Sequence, residues 1–398
     1  MDNMTAFDAA LNALADLRPG VQPIQPDEYC QRLRRLQALL RAEGLQALYL
    51  HAGSSLRYFM GTPWHPSERL LGALVPAEGE PLYIAPAFER DALMDRWGLP
   101  APLQLWDEHE DPLALLARLT AGLPCGGHGL ALDGSLPFHF ASRLQKVAPG
   151  LPLADGSDLI AALRMRKSAA EIALLQRAFD MTLRVQQAAR SVLRTGMDTR
   201  EVEDFIDQAH RRIGGGGSRF CIVLFGQATS YPHGVKHAQT LGEDEVVLID
   251  CGCSVEGYAS DLTRTYMHGR ASADVRRIWA IEHEAQAAAF AAAQLGTPCE
   301  AVDDAARAVL ERHGLGPGYE LPGLPHRTGH GVGLDLHEHP YVVRGNSQPL
   351  EIGMCCSNEP MIVLPGAFGV RLEDHFYMTG QGPCWFTPPS PSLEQPFG

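Results

Sequence analysis

The sequence of 398 residues has no run of about twenty apolar residues, which is the length that an α-helix needs to cross a membrane. Basic residues are scarce: 33 Lys and Arg stand against 47 Asp and Glu, and the formal net charge is −14. A chain of that charge binds nucleic acid and anionic membrane surfaces poorly. We therefore expect no membrane span, no membrane partner and no nucleic-acid partner.

Cysteine pairs of the CxxC type are also missing, although the chain has nine cysteines, scattered from Cys30 to Cys384. An odd number without paired spacing predicts reduced thiols, as in a cytosolic protein. The first residues, 1–4, lack the basic-then-apolar signature of a secretory signal. Both observations predict a cytoplasmic location.

The first part of the chain alternates short apolar strands with helical patterns. Strand-like runs occupy residues 47–50, 70–75, 81–84 and 129–132, and amphipathic helical stretches lie between them. This alternation is typical of an α/β domain. We expect one small α/β domain over residues 1–160.

The second part, residues 161–398, has a different pattern. Ser168-Ala-Ala-Glu171 and Asp198-Thr-Arg-Glu201 have the spacing of capping boxes, and each precedes a helical repeat of apolar residues. Strand-like runs follow at 219–225, 245–250, 258–267, 354–364 and 369–379. Helices on one side of an antiparallel sheet are expected, so the fold class of this domain is α+β.

Two predicted hairpins bring acidic residues together. A turn near residues 255–256 would set Asp250 opposite Asp261, and a turn centred at Gly366 sets Glu359 opposite Glu373. Like charges facing each other inside apolar strands destabilise a sheet unless a cation lies between them or the carboxylates are protonated. The alternative is a register that is one residue out, with each acid on a solvated face. The presence of two such hairpins in one chain favours a bound cation over a shifted register.

A third feature is a histidine-rich, glycine-rich segment at residues 326–340. One neutral imidazole and four carboxylates would form an oxygen-dominated set whose charge of −4 two divalent cations match. Such ligands suit Mn²⁺ or Co²⁺, with Zn²⁺ as a further candidate. Two metal ions about 3.5–4 Å apart can hold a water or hydroxide between them, which is the equipment of a hydrolase.

Together these motifs resemble the pita-bread-fold metallopeptidases, peptidase family M24: prolidases (Xaa-Pro dipeptidases), aminopeptidase P and methionine aminopeptidases. The resemblance covers roughly residues 165–380 and rests on the segments 166–172, 250–265, 329–331, 358–360 and 370–374. Residues 56–61 are similar to a motif of the family's accessory domain. The resemblance implies a C-terminal pita-bread (creatinase/aminopeptidase-like) catalytic domain and a smaller α/β N-terminal domain of the creatinase/prolidase type.

By this resemblance, two divalent metal ions per chain are bound by five residues, which are Asp250, Asp261, His330, Glu359 and Glu373. Glu359 would also move the water proton to the leaving nitrogen. Four further residues match positions that contact the substrate or orient the ligands: His233, His326, His337 and Arg371.

Two positions depart from the family pattern. Val255 stands where many relatives have a tyrosine that supports a metal ligand. Tyr341 replaces an arginine with which some prolidases bind the C-terminal carboxylate of a dipeptide, and Arg344 is the nearest candidate substitute. These departures concern metal-ligand support and the preference for dipeptides, and the five predicted metal ligands are unaffected by them.

The preferred interpretation is an Xaa-Pro dipeptidase that acts on small proline-containing peptides. Aminopeptidase P, which acts on longer peptides, is the runner-up, and a non-peptidase hydrolase of another C–N bond on the same fold is a further alternative. A binding protein with an inactive site would be expected to lose ligands that this chain keeps. The resemblance also implies a homodimer in which the loop around Trp64 lies near the neighbouring active site.

Overall fold

The computed structural model describes residues 6–124 and 127–398, and within it the chain divides into two units. One unit is Ile24–Arg164, and the other combines the described residues up to Pro23 with Met165–Gly398. Residues 1–4, on which the expectation about a secretory signal rests, lie outside the described part. The first helix, α1 (Ala6–Asn12), belongs to the second unit.

The unit Ile24–Arg164 has the predicted α/β architecture. Its strands are β1 (Ala47–His51), β2 (Gly72–Pro76), β3 (Leu82–Pro86), β4 (Leu103–Trp106), β5 (Leu130–Leu132) and β6 (Leu153–Asp155). Its helices are α2 (Pro26–Ala42), α3 (Ser54–Met60), α4 (Arg90–Asp95), α5 (Pro112–Ala121), α6 (Phe138–Val147) and α7 (Ser157–Arg164). The described strands form one mixed sheet in the order β4-β3-β2-β1-β5-β6, in which β1 is antiparallel to β2 and parallel to β5.

Four long helices follow in the second unit, and they are α8 (Ala169–Val192), α9 (Thr199–Ile213), α10 (Ala273–Ala292) and α11 (Cys299–Arg312). The two predicted capping boxes are confirmed. The Ser168 hydroxyl accepts the Glu171 amide at 3.2 Å, while the Glu171 carboxylate accepts the Ser168 amide at 2.9 Å. Asp198 and Glu201 make the same reciprocal pair at the start of α9.

The strands of this unit are antiparallel, as predicted. They are β7 (Phe220–Phe225), β8 (Glu245–Gly252), β9 (Ser254–Val255), β10 (Tyr258–Ala259), β11 (Leu262–His268), β12 (Gly329–Gly331), β13 (Glu338–Val342), β14 (Cys355–Asn358), β15 (Met361–Leu364), β16 (Phe368–Arg371), β17 (Asp374–Thr379) and β18 (Gly382–Trp385). One sheet has the order β11-β8-β7 and another the order β13-β12-β14-β17-β18, while β9–β10 and β15–β16 are separate hairpins.

Two buried glutamines tie helices to the strands that carry the acidic residues. Gln186 of α8 donates its amide to the carbonyls of Ile249 and Leu262, at 3.2 and 2.7 Å. Gln286 of α10 donates to the carbonyl of Leu372 at 3.1 Å and also contacts that of Asn358 at 3.4 Å. Each helix therefore fixes the spacing of one pair of strands, next to the positions of the predicted acid pairs.

Candidate metal centre and active site

The first acid pair lies on β8 and immediately before β11, with a register that differs from the prediction. Asp250 is opposite Thr263, so the predicted pairing of Asp250 with Asp261 is wrong by two positions. The connecting loop forms its own hairpin, β9–β10, in which Val255 pairs with Tyr258, and this moves the turn along the chain. Because strand side chains alternate, a shift of two residues keeps Asp261 on the same face as Asp250.

The second acid pair, Glu359 and Glu373, lies between the β14–β17 ladder and the β15–β16 ladder. Asn358 is opposite Asp374 at the end of the β14–β17 ladder, and Met361 is opposite Arg371 in the β15–β16 ladder. This is the predicted register around the turn. Glu373 also forms a bridge with Thr263, to whose carbonyl its amide donates at 3.1 Å. That bridge places the second acid pair beside the first.

His330 joins the two pairs from β12. Its amide donates to Ser357 Oγ at 2.8 Å, and its Nδ1 lies 3.0 Å from the Gly331 carbonyl, which assigns a hydrogen to Nδ1. Its Nε2 then faces Glu359 Oε1 at 2.9 Å and Asp261 Oδ2 at 3.7 Å. That nitrogen must either share a proton with these oxygens or offer its lone pair to a cation.

The four carboxylates lie in a low-dielectric site with unequal protonation. Burial raises the pKa of Asp250, Asp261 and Glu373, and repulsion between the carboxylates adds to that rise. Burial acts in the same direction on Glu359, but the imidazole of His330 outweighs it and lowers the pKa of Glu359 below its ordinary value. One carboxylate of the set is therefore held ionised while its neighbours favour protons or a cation.

Arg371 is the cation that the structure places in this set. It donates to Asp250 Oδ2 at 2.5 Å, to Thr263 Oγ1 at 3.2 Å and to the Pro232 carbonyl at 3.0 Å. Among the carboxylates predicted to bind metal, two oxygens, Asp250 Oδ1 and Glu373 Oε1, are nevertheless buried without a hydrogen-bond partner. An unsatisfied buried carboxylate oxygen is costly, so these atoms mark where a cation fits.

The arrangement of donor atoms has the same implication. One donor atom from each of four buried residues lies within 4.8 Å of the others, and these residues are Asp261, His330, Glu373 and His375. Carboxylate oxygens and imidazole nitrogens are the ligands that Mn²⁺, Co²⁺ and Zn²⁺ take in proteins. The residues present therefore fit divalent metal ions.

The three remaining predicted histidines lie at the edge of this cluster. The His337 ring is 4.1 Å from the His330 ring, and burial together with His330 lowers the pKa of His337 to about 4. His326 places its Nδ1 2.7 Å from the Arg327 carbonyl, and burial lowers its pKa as well. His233 is exposed and close enough to lower the pKa of both rings further.

Three residues of the site were not predicted from the sequence. Thr263 donates its hydroxyl to Glu373 Oε2 at 2.6 Å, and Ser357 donates its hydroxyl to Glu359 Oε1 at 2.9 Å. His375 belongs to the four-donor group. Alternation gives the missing signal, because Thr263 and His375 each follow a predicted ligand by two positions and so share its face of the strand.

The two departures from the family pattern have definite surroundings. Val255 is buried in β9. The ring of Tyr341, on β13, lies 4.4 Å below the guanidinium carbon of Arg327. Arg344 is exposed and is bound to Asp304 at 3.1 Å, so the expected substitute for the family arginine already has a partner.

Comparison with known proteins gives concordant matches over nearly the whole chain. Residues 173–380 match the metallopeptidase family M24, and residues 32–166 match the creatinase/prolidase N-terminal domain. A probable dipeptidase, PepE, of Mycobacterium tuberculosis is 33% identical over 366 residues, which are 91% of this chain and 95% of that protein. An Xaa-Pro dipeptidase of Lactobacillus delbrueckii is 31% identical over 373 residues, with coverage of 91% and 98%.

The fold agrees with a solved structure. The crystal structure of dipeptidase PepE from Mycobacterium ulcerans superimposes with a TM-score of 0.86 at 33% identity, and the match covers 94% of this chain and 99% of that one. In the described part of the chain, no helix combines the length and the apolar character that crossing a bilayer requires.

Proposed function

This chain belongs to the metallopeptidase family M24 and is a peptidase hydrolase, and from that membership we propose that it is an Xaa-Pro dipeptidase with two divalent metal ions. The observation that carries the proposal is the meeting of two buried acid pairs around His330, with partnerless oxygens on Asp250 and Glu373. The relatives named dipeptidase and Xaa-Pro dipeptidase, which align over most of the chain, support the choice of substrate.

The residues that would hold the two ions are Asp250, Asp261, His330, Glu359 and Glu373. Mn²⁺ is the preferred ion because oxygen donors outnumber nitrogen donors in this set, while Co²⁺ and Zn²⁺ fit the same ligands. When bound, the ions would polarise the scissile carbonyl and make a water molecule acidic enough to attack it at neutral pH.

Glu359 is the proton carrier in this proposal. Beside His330 its pKa lies below the ordinary carboxyl value, and a metal ion bound by His330 would likewise favour the ionised form. Glu359 can therefore accept the proton of the attacking water. The Ser357 hydroxyl, which donates to Glu359 Oε1, restricts the rotation of the carboxylate. The same carboxyl group can then give the proton to the nitrogen that leaves.

The flanking histidines would bind the peptide as neutral rings. With Nδ1 of His326 committed to the Arg327 carbonyl, its Nε2 is free to accept a hydrogen bond. His337 lies beside His330 and, as a neutral imidazole, can donate to the carbonyl oxygen on which charge develops. His233 would contact the substrate from the solvent side.

Proline suits such a site for a chemical reason. The bond before proline is a tertiary amide with no N–H, so a peptidase that must hydrogen-bond that N–H fails on it. The proposed site acts on the carbonyl and on the leaving nitrogen, and it needs no N–H from the substrate.

For the length of the substrate we propose Arg327 as the determinant. Its guanidinium rests on Tyr341 and makes no ion pair within the described residues. Arg327 directly follows His326 in the chain, and its carbonyl lies 2.7 Å from Nδ1 of His326, so the residue is a neighbour of the proposed substrate-binding histidines. A cation there can bind the C-terminal carboxylate of a dipeptide.

For the assembly we propose a homodimer in which the loop around Trp64 contributes to the neighbouring active site. Trp64 is half-buried, and its ring lies 5.2 Å from the guanidinium carbon of Arg96. Sedimentation of the purified protein tests the dimer. Replacing Trp64 by Ala in a dimeric protein should lower activity without changing the metal content.

The test of the function is hydrolysis of Ala-Pro and Ala-Pro-Ala by metal-stripped protein to which Mn²⁺ is returned. The Glu359→Gln variant, prepared in parallel, excludes a contaminating peptidase. Cleavage of Ala-Pro alone supports the proposal, whereas cleavage of the tripeptide indicates an aminopeptidase P. If neither peptide is cleaved by protein that has bound metal, the substrate contains another C–N bond.

A further inference from the structure

Strand β17 carries a histidine, His375, that is not among the five predicted metal ligands but lies next to one of them. Glu373 immediately precedes this strand and His375 is its second residue, so the two side chains lie on the same face. Asp374, between them, points the other way and accepts hydrogen bonds from Arg264 and Thr387 at 2.7 and 2.8 Å. His375 is therefore directed toward the side of the strand on which Glu373 lies.

The His375 imidazole is fully buried, and neither ring nitrogen has a hydrogen-bond partner. The main-chain carbonyl of Asp261 lies beside the ring but makes no well-formed hydrogen bond with it. Phe179 packs against the ring at 4.9 Å between centroids, and His330 lies 5.8 Å away. A ring nitrogen without a hydrogen-bond partner has a lone pair available for a cation, provided that other ligand atoms lie close to it.

One nitrogen of His375 lies within 4.8 Å of donor atoms on Asp261, His330 and Glu373. Ligands that surround one ion at about 2.0–2.3 Å lie within about twice that distance of one another, which is close to the observed spread. We propose that His375 is a further nitrogen ligand of one of the two metal ions, so that this position has two imidazoles and the other has mainly oxygen donors.

A second imidazole at one position would make the two positions differ in the metal ion that they prefer. Imidazole favours Co²⁺ and Zn²⁺ over Mn²⁺, whereas carboxylates serve Mn²⁺ well. The position near His375 should therefore retain Co²⁺ more strongly than the other position does. The inference rests on the proposed metal centre, but it concerns which atoms bind and not which bond is cleaved.

The experiment is calorimetric titration of the metal-free, full-length protein with Co²⁺ and with Mn²⁺, for the wild type and for His375→Leu. His51→Leu is the matched control, because His51 is equally buried with both ring nitrogens unpartnered but belongs to the other unit. We expect His375→Leu to weaken Co²⁺ binding at the tighter site about 10- to 100-fold and to change Mn²⁺ affinity less than about 3-fold. His51→Leu should leave both affinities unchanged. Unchanged Co²⁺ affinity in folded His375→Leu would overturn the proposal.

A second readout needs no variant. Pulsed electron paramagnetic resonance of wild-type protein in which Mn²⁺ fills both positions detects each nitrogen bound to the metal. Coupling to two inequivalent imidazole nitrogens supports ligation by both His330 and His375. Coupling to one nitrogen would remove His375 from the metal and leave the proposed function intact, whereas failure to bind any metal would refute the proposed function itself.

Discussion

The guanidinium of Arg371 donates to Asp250 Oδ2 at 2.5 Å, while Asp250 Oδ1 is buried with no hydrogen-bond partner. Arg371 therefore uses one oxygen of the carboxylate and leaves the other to the acid cluster. Its other donors reach the Thr263 hydroxyl and the Pro232 carbonyl, so the guanidinium is held on three sides. This geometry makes Arg371 a residue that orients a ligand and compensates its charge.

We expect Arg371→Lys to weaken metal binding by about 10- to 100-fold, the usual loss when a residue that orients a metal ligand is altered. Lysine keeps the positive charge but cannot make three hydrogen bonds in the planar geometry of a guanidinium. Titration calorimetry with Mn²⁺ measures the effect. Arg344→Lys, on the exposed surface, is the control and should bind normally, and equal affinities in the two variants would refute the role of Arg371.

Metal binding should release protons at a pH just above the ordinary titration of carboxyl groups. Burial and mutual repulsion raise the pKa of Asp261 and Glu373 well above the ordinary carboxyl value, so the metal-free protein holds protons that a cation must displace. Acidification through those raised values should therefore weaken Mn²⁺ binding, at a pH above the ordinary titration of carboxyl groups. The proton count on adding Mn²⁺ in weak buffer measures this effect.

The matched variant for that experiment is Asp261→Asn, whose amide has no proton to lose in this range. It should release fewer protons per metal ion bound than the wild type. Metal uptake by the wild type without any release would show that the carboxylates are already ionised in the metal-free protein, which contradicts the raised pKa of Asp261 and Glu373.

Asp303 should be a strong determinant of stability around His326. Its buried carboxylate accepts the amide and hydroxyl of Thr328 at 3.0 and 2.7 Å and pairs with Arg307 at 2.8 Å. Arg307 in turn donates to the His326 carbonyl at 2.6 Å. Asp303→Ala leaves a buried guanidinium uncompensated, so we expect a loss of about 3–5 kcal/mol in the free energy of unfolding, measured with urea.

The neighbouring Asp304 provides the control for that measurement. Its side chain is exposed and pairs with Arg344 at the surface, so Asp304→Ala should cost at most about 1 kcal/mol. Similar losses for the two variants would contradict the assigned role of Asp303.

Arg327→Gln should separate substrates by their C-terminal charge. If Arg327 binds the carboxylate of Ala-Pro, its loss should raise KM for Ala-Pro about 10- to 100-fold, as expected for a hydrogen bond between charged groups. KM for Ala-Pro amide, which lacks that carboxylate, should change little. Arg344→Gln should alter neither value, and a rise for both substrates with Arg327→Gln would assign Arg327 a general structural role.

Short-range signals made part of this site predictable. The turn centred at Gly366 is tight, so the register that brings Glu359 and Glu373 together could be read from spacing alone. The register of Asp250 could not be read from spacing, because the intervening loop forms its own hairpin. In that hairpin Glu256 has a φ of 48° and Gly257 a φ of 80°. Alternation along the strand preserved the correct face despite that error.

Contacts between segments that lie far apart along the chain could not be predicted from the sequence. Nothing in the spacing indicates that Gln286 of α10 donates to the carbonyl of Leu372, or that Arg327 rests on the Tyr341 ring. The same holds for His375, whose approach to His330 depends on how β12, β14 and β17 pair. Such contacts are set by tertiary packing, which local patterns do not record.

The most direct test is reconstitution of the metal-free protein with Mn²⁺. Bound Mn²⁺ is counted while Ala-Pro hydrolysis is followed, so that binding and turnover at the proposed centre are measured together. We expect no hydrolysis without metal, two ions per chain at saturation and loss of both binding and turnover in His330→Asn. Hydrolysis of Ala-Pro that persists after complete removal of metal, or saturation without any tightly bound ion, would contradict the assignment of these residues as a dinuclear metallopeptidase site.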